Sequence, residues 1–460
     1  MAIKAKALAA AVAVLAFVLL ALTTRSPAPV FDETEYLTAA RNLYHHGTIS
    51  MAAPDASSRP PTAIREPGYP VLLALVMVVD PEFREFDWRA MMEGHAARAH
   101  AFDGARYANS ALIVLAALLV FAIARNLGGP AAGWIAYLLV LLNAEANEMR
   151  YGIISDYLAL ALTAGATLLA IEALRRKSIA AAAAAGATLA ALILTKAIFL
   201  YLFYLLAAGG VVYLVVQRPL APRIAVAGLA FFLAAGVPTT AWMARNAAEV
   251  GDASLTIGRG ALALSERVAW NRMTRAEYPM AYLWWTRDFG DNLARRYFKP
   301  EAYARFEDGK PGAFYPAGHD EGRALVARLM SREGLSRSEA AARVTSQRLD
   351  EIAGDLPWHL AVTVALAYRG IWIDQFVWLG LPAFIWLVGG AIRRRDGPRL
   401  ALALPALYCI AIYALLSSSY PRYDLPAIPA FAVAAALAVI GLAGWLIPRI
   451  NRRREILRRR

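Results

Sequence analysis

Apolar runs close to the ~20 residues that carry a helix across ~30 Å of hydrocarbon recur along the whole chain. They fall at about 7–24, 105–125, 131–150, 157–174, 179–196, 197–217, 223–243, 372–392, 399–417 and 424–447. None alternates with the period of two that barrel strands show. Backbone amides in lipid must be satisfied within their own segment, so the pattern predicts ten membrane helices and an all-α fold. The run Tyr69–Val79 follows Pro67 and Pro70 and stops at Asp80-Pro81, too short to span, and reads as a re-entrant or interfacial helix. Two long polar stretches interrupt the apolar pattern, at about 25–104 and 246–357. They divide the chain into an N-terminal membrane module (1–245, with the long first loop), a loop region (246–357) and C-terminal membrane helices with a basic tail (358–460). The first loop carries a helical stretch from Thr34 to Tyr44, with Glu35, Leu37, Ala40 and Leu43 on one face, and then a Pro/Ser-rich turn at Pro54–Pro61. The second carries a helix over 337–353 announced by Ser336 and Glu339, a capping box, and returns to the membrane near Trp358.

Composition agrees with a polytopic membrane protein: 59% of residues are hydrophobic and the mean hydropathy is +0.44. The net charge of +13 would suit nucleic acid, but the arginines sit in short loops between spans and in the tail, where the positive-inside rule puts them. We read the excess as topology and contact with the bilayer, with no nucleic-acid partner. Lys4 and Lys6 precede the first run, and Thr23-Thr24-Arg25 offers no small-x-small cleavage site, so that run is expected to stay as a signal-anchor. Leaving Tyr69–Val79 out of the count puts Arg125, Arg175-Arg176-Lys177, Arg218, Arg223, Arg393-Arg394-Arg395 and the tail Arg452–Arg460 on the Lys4 side. The expected location is therefore the cell (inner) membrane, with both termini cytoplasmic. Asp32, Arg65, Asp156, Lys196, Arg245 and Arg422 then all fall at the outer face. Cys409 is the only cysteine, so no intrachain disulfide or Cys-based metal site can form. No H-E-x-x-H, Walker A, G-x-S-x-G or dinucleotide fingerprint occurs, which argues against a protease, an ATP-driven pump and the familiar hydrolases.

The candidate chemistry lies at the ends of the spans. Asp32-Glu33 offers a carboxylate to deprotonate a hydroxyl with a neighbour to orient it; equally, such a pair stabilises a helix N-terminus. Asp156 after Ser155 is either an N-cap or a second acid at the same mouth. Arg65, in Arg65-Glu66-Pro67-Gly68-Tyr69-Pro70, could clamp a phosphate or snorkel to the headgroups. Lys196, flanked by Thr195 and Ala197, is expensive in that setting unless paired. Trp242-Met243-Ala244-Arg245-Asn246 and Tyr420-Pro421-Arg422-Tyr423 could be aromatic-belt and snorkel arrangements, and His45-His46 a solvated pair.

Taken in order, Asp32-Glu33-x-x-Tyr36, Arg65-Glu66-Pro67-x-Tyr69-Pro70, Ser155-Asp156, Leu194-Thr195-Lys196, Trp242-x-x-Arg245-Asn246 and Arg422-Tyr423-x-Leu425-Pro426 resemble the GT-C glycosyltransferases. The nearest branch is the bacterial relatives of protein O-mannosyltransferases and of the lipid A aminoarabinose transferase. The resemblance implies transfer of a sugar from a polyprenyl-phosphate donor to an envelope acceptor at the outer leaflet. It implies Asp32 as catalytic carboxylate and Asp156 as the acid facing it, with Glu33 and Glu66 as supporting acids. Arg65, Lys196 and Arg245 would bind the donor phosphate, and Tyr36, Tyr69, Trp242, Asn246, Arg422 and Tyr423 would line the donor and acceptor pocket. A divalent cation is an open cofactor, with Asp32, Glu33, Glu66 and Asp156 its candidate ligands. Glu35 and Glu66 depart from the aminoarabinose-transferase pattern, which has an arginine and a lysine there. The competing classes are a transporter or flippase of lipid-linked sugars, which would place charges at midplane on broken helices, and a lipid-diphosphate-dependent glycan ligase or polymerase, which Arg295-Arg296 would favour.

Overall fold

The computed structural model describes residues 2–94, 96–216, 221–373 and 376–458, with side chains between residues 10 and 446 except 96–98; Arg218, Arg460 and the side chains of Lys4, Lys6 and Arg452-Arg453-Arg454 lie outside the description. Among the described residues every regular element is helical. Seven helices are long and apolar enough to cross a bilayer: Ala99–Gly128, Asp156–Arg176, Phe199–Val216, Pro222–Val250, Val377–Arg394, Gly397–Leu416 and Pro421–Leu446. The other three predicted spans fall on shorter apolar helices, Ala10–Leu22, Pro130–Leu141 and Ile179–Ile193. The chain is a multi-pass, all-α membrane protein.

The run expected at 131–150 is cut in two, and the cause is one residue. Asn143 accepts from Ala146 N at 2.8 Å, capping a separate helix Ala144–Met149, and donates to Ile373 O at 2.9 Å. A side-chain amide that satisfies the backbone this way ends the first helix at Leu141. Gly68–Val79 is a 12-residue helix, as the prolines and length foretold, and Asp80 ends it by capping Pro81–Arg84 through Phe83 N at 3.0 Å. The capping box at Ser336 and Glu339 opens Arg337–Gly354 as read.

The main core joins Asp103–Gly128, Pro130–Leu141, Asp156–Arg176, Val377–Arg394 and the C-terminal helix through small residues, including Ala116, Ala117, Ala164, Ala434 and Ala436. In lipid, association comes from close packing and not from escape from water, so small side chains that let backbones approach are the expected solution. The closest approach is between Ile179–Ile193 and Pro222–Val250, where a Cβ on Gly186 would lie 2.1 Å from Phe231 O. The other faces of Phe199–Val216 and Pro222–Val250 stay exposed and apolar, as Val211, Val216, Leu229 and Val237 illustrate.

Above the bundle, the segment between Gly251 and Leu356 folds as short helices over a cluster of Trp270, Trp285, Phe306 and Phe314. Arg267, fully buried, fastens it: its guanidinium donates to Ala414 O (2.9 Å), His359 O (2.8 Å) and Thr363 Oγ1 (2.9 Å). With no carboxylate beside it, burial pushes Arg267 down to about 9.

Gly186→Ala should destabilise the detergent-solubilised protein by about 1–3 kcal/mol, read as a lower thermal unfolding midpoint, because the new methyl meets backbone that cannot move aside. Gly209→Ala, where a Cβ meets open space, should leave the midpoint unchanged or slightly raised; equal losses at both positions would refute the close-packing account.

Candidate functional site

Two sequence-distant segments, Arg65–Gly68 and Leu194–Ala197, are zipped together. Gly68 N donates to Leu194 O at 2.7 Å, and Ala197 N donates to Glu66 Oε1 at 2.9 Å. Position 68 has to be glycine for this contact, since a Cβ there would lie 2.5 Å from Thr195 Oγ1 and 2.8 Å from Leu194 O. The junction sets the two cations of these segments side by side in the fold, each with a carboxylate from elsewhere.

On one side, Arg65 is 1% exposed and bonds two acids of the helix Asp32–His46: Nη2 to Asp32 Oδ1, and Nε to Glu35 Oε2 at 2.6 Å. Its guanidinium lies over the Tyr36 ring, 4.8 Å from the centroid, a cation–π contact on a desolvated face. Arg259 approaches the other oxygen, Nη2 to Asp32 Oδ2 at 3.8 Å. Burial alone would raise the Asp32 carboxyl, but the charges of Arg259 and Arg65 and the Arg65 hydrogen bond outweigh it and hold it well below the usual carboxylate range. Phe31, just before it, is 87% exposed with φ +47°, an uncommon backbone conformation for a side chain that size. Glu33 behaves differently from its neighbour. It accepts from Val30 N at 3.3 Å, an ordinary helix-start role, and burial raises its carboxyl.

On the other side, Lys196 Nζ donates to Asp156 Oδ1 at 2.7 Å, with 12% and 7% of the two side chains exposed. The ammonium also faces Tyr423 and Tyr413, at 5.5 and 5.7 Å from their centroids. Ser155 makes no capping bond; its Oγ meets Tyr36 OH at 3.1 Å, so one tyrosine touches both halves of the site. Tyr69 stands edge-on to Tyr36 at 5.1 Å and donates to Asn109 Oδ1 at 3.2 Å. Arg422 lies over Tyr423 at 5.1 Å, and Tyr423 stacks on Tyr413 at 5.1 Å.

Asp32, Tyr36, Arg65, Glu66, Tyr69, Asp156, Lys196, Arg422 and Tyr423 are thus joined through direct contacts or shared neighbours. Trp242, Arg245 and Asn246 form a separate joint: Arg245 donates to Thr62 O (3.1 Å) and pairs with Glu249 (2.7 Å), and Asn246 donates to Ser254 O (2.8 Å). That joint braces the turn in which Ile257 N donates to Ala63 O at 2.9 Å, two residues before Arg259. All three cations expected to bind phosphate are already matched to a carboxylate. Arg295, of the Arg295-Arg296 pair, is spent on Asp291 and Glu307.

Two site groups escaped the sequence reading. Arg259, 42% exposed, sits in a long polar segment where only the flanking Gly258 and Gly260 set it apart. Asp424, inside Arg422-Tyr423-x-Leu425, is fully buried with neither oxygen hydrogen-bonded among the described residues. It faces Gly370, where a Cβ would lie 2.3 Å from Asp424 Oδ2.

The donor set does not suit a divalent cation. Asp32 faces two guanidiniums, Asp156 an ammonium and Glu66 a backbone N–H. Among the described residues no three His, Cys, Asp or Glu side chains gather round one point.

Residues 63–246, under half of the chain, match the model of the family described as dolichyl-phosphate-mannose-protein mannosyltransferase. The apo oligosaccharyltransferase of Archaeoglobus fulgidus superposes with a TM-score of 0.51 at 13% identity, covering 97% of this chain and 52% of that one. The chain shares the fold of that oligosaccharyltransferase. ArnT from Cupriavidus metallidurans bound to undecaprenyl phosphate is also similar, with a TM-score of 0.45 at 16% identity over 95% of this chain and 60% of that one. The chain spans about half the length of the oligosaccharyltransferase. No curated protein matches it.

Lys196→Met strands Asp156 as a buried unpaired charge and should cost about 3–5 kcal/mol in thermal unfolding, partly recovered in the Lys196→Met/Asp156→Asn double variant. Additive losses would show that the two do not act as a pair. The lowered Asp32 value means its contribution is complete above the ordinary carboxylate range and is lost as pH falls through the folded-state value. Arg65→Met removes part of that depression, so the acid-unfolding midpoint, followed by tryptophan fluorescence, should move to higher pH.

Proposed function

We propose that the protein is a membrane glycosyltransferase that moves a sugar from a polyprenyl-phosphate donor to an acceptor hydroxyl at the outer face of the membrane, with inversion. The observation that carries this reading is the pair of carboxylates, Asp32 and Asp156, each held by a buried cation and bridged by Tyr36 and Ser155, with Asp156 opening an apolar helix. A polyprenyl tail dissolves among such helices while its phosphate stays at the interface. The chemistry then needs cations near that phosphate and an ionised carboxylate facing water. The match to the mannosyltransferase family over 63–246, and the fold shared with the archaeal oligosaccharyltransferase, support the class.

In this mechanism the acceptor oxygen attacks the anomeric carbon as the bond to the donor phosphate breaks, and polyprenyl phosphate leaves with the electron pair. The acceptor's proton passes to Asp32. A carboxylate between Arg65 and Arg259 is a weak base at rest, so it takes that proton late, once C–O bond formation has made the hydroxyl acidic. Developing charge on the departing phosphate is offset by preorganised cations. Arg259 and Arg422 are the least committed of these, since Arg65 and Lys196 are tied to acids. Arg65 and Lys196 then serve the leaving group at second hand, by keeping Asp32 and Asp156 ionised. A single displacement inverts the anomeric centre; a double displacement would require a free carboxylate nucleophile, and both carboxylates are engaged. The sidedness of the basic loops supports an outer-face site in the cell membrane with cytoplasmic termini.

Membranes containing the native chain should transfer label from polyprenyl-phosphate [3H]mannose to envelope acceptors, and Asp32→Asn should cut the rate by about 10²–10⁴-fold. Unchanged turnover in the variant would remove Asp32 from the mechanism. Failure of the native chain with mannose and a wider panel of polyprenyl-phosphate sugars would favour a lipid-linked-sugar transporter.

A further inference from the structure

The outer helix Phe314–Glu333 lies against Arg259–Asn271 at a spacing that only glycine permits. A Cβ on Gly318 would lie 2.7 Å from Glu266 Cα, and one on Gly322 2.8 Å from Ser265 Cβ. That contact brings His319 onto Glu266, Nδ1 to Oε1 at 3.0 Å. Glu266 is nearly buried, its side chain 9% exposed, and its other oxygen accepts from Ser418 Oγ at 3.0 Å. In the neutral imidazole, the tautomer that donates to this carboxylate carries its proton on Nδ1 and leaves a lone pair on Nε2. The His319 side chain is 30% exposed, and Nε2 bonds no described residue. A histidine ring whose one nitrogen is fixed by a buried acid, with the other left open, has the geometry of an oriented proton or hydrogen-bond acceptor.

The pair stands beside the site. Ser418 begins the stretch that carries Tyr420, Arg422 and Tyr423. From His319 an unbroken aromatic path leads inward: His319 to Tyr315 at 6.0 Å, Tyr315 to Tyr420 at 5.0 Å, Tyr420 to Tyr423 at 5.7 Å, and Tyr423 to Lys196 at 5.5 Å. Tyr315 and His319 are one helical turn apart, on one face.

We propose that His319, held by Glu266, is an acceptor-binding residue: Nε2 accepts a hydrogen bond from a hydroxyl of the acceptor and holds it on the outer-segment side of the cleft, while the donor enters from the membrane side. This rests on the glycosyl-transfer reading above and assigns the acceptor to the wall built by Phe314–Glu333. The acceptor is a hydroxyl-bearing envelope molecule that reaches the cleft through water.

The test uses the full-length chain in membranes, polyprenyl-phosphate [3H]mannose as donor and a delipidated envelope extract as acceptor, each titrated separately. His319→Ala should raise the half-saturating acceptor concentration about tenfold, as expected for one lost hydrogen bond in a water-excluded site. The donor half-saturation should stay within twofold of the native value. His319→Gln, whose amide oxygen can stand in for Nε2, should recover most of the loss. Unchanged acceptor saturation in His319→Ala overturns the proposal, and so does a parallel loss in donor saturation and stability, which is what a purely structural pair would give. Absence of transfer by the native chain would refute the glycosyl-transfer reading and this inference with it, whereas native transfer with an indifferent His319 refutes the inference alone.

Discussion

A charge carried into a helical bundle in lipid has to be neutralised where it sits, and this requirement organises the site. Arg65 is 1% exposed and would be intolerable alone; Asp32 and Glu35 make it possible, just as Asp156 makes Lys196 possible. Breaking either pair would leave a stranded ion. The pairs are held at a common level by backbone, through Gly68 N to Leu194 O and Ala197 N to Glu66, so that two membrane-proximal segments cannot slide past each other without exposing both charges. Glu66, which resembles a ligand or a catalytic acid in the sequence, is here a clasp.

The outer segment completes what the bundle begins. Arg267 pins it to two helices through carbonyl and hydroxyl oxygens alone, and its own burial is tolerable because each of those bonds is charge-assisted. Once the segment is fixed, Arg259 reaches Asp32 and Glu266 reaches Ser418. The carboxylate at the centre therefore takes its electrostatic environment from two parts of the chain: the first loop, through Arg65, and the distant polar segment, through Arg259.

Much of this was legible in the residues. Prolines and length fixed Gly68–Val79 as a helix too short to span, the capping box announced Arg337–Gly354, and Lys196 among apolar residues demanded a partner. What misled was local plausibility. The span expected over 131–150 ran past the apolar stretch into Asn143, Glu145, Asn147, Glu148 and Arg150, where Asn143 spends its amide on Ala146 and Ile373 and ends the helix. The resemblance implied Arg245 as a phosphate ligand, and the structure pairs it with Glu249, one turn along its own helix.

The amino-acid order by itself determined the all-helical membrane class, the identity of most charged residues at the span ends and the family resemblance, because hydropathy, proline and cap chemistry act over a few residues. Only the tertiary structure decided which acid meets which base, why Asp32 rather than Glu33 is held ionised, and that Arg259, Glu266 and His319 stand beside the site at all. Ion pairing and imidazole orientation depend on separations of a few ångströms between groups up to hundreds of residues apart, and the distance that governs Coulomb energy and hydrogen bonding is set by packing rather than by sequence.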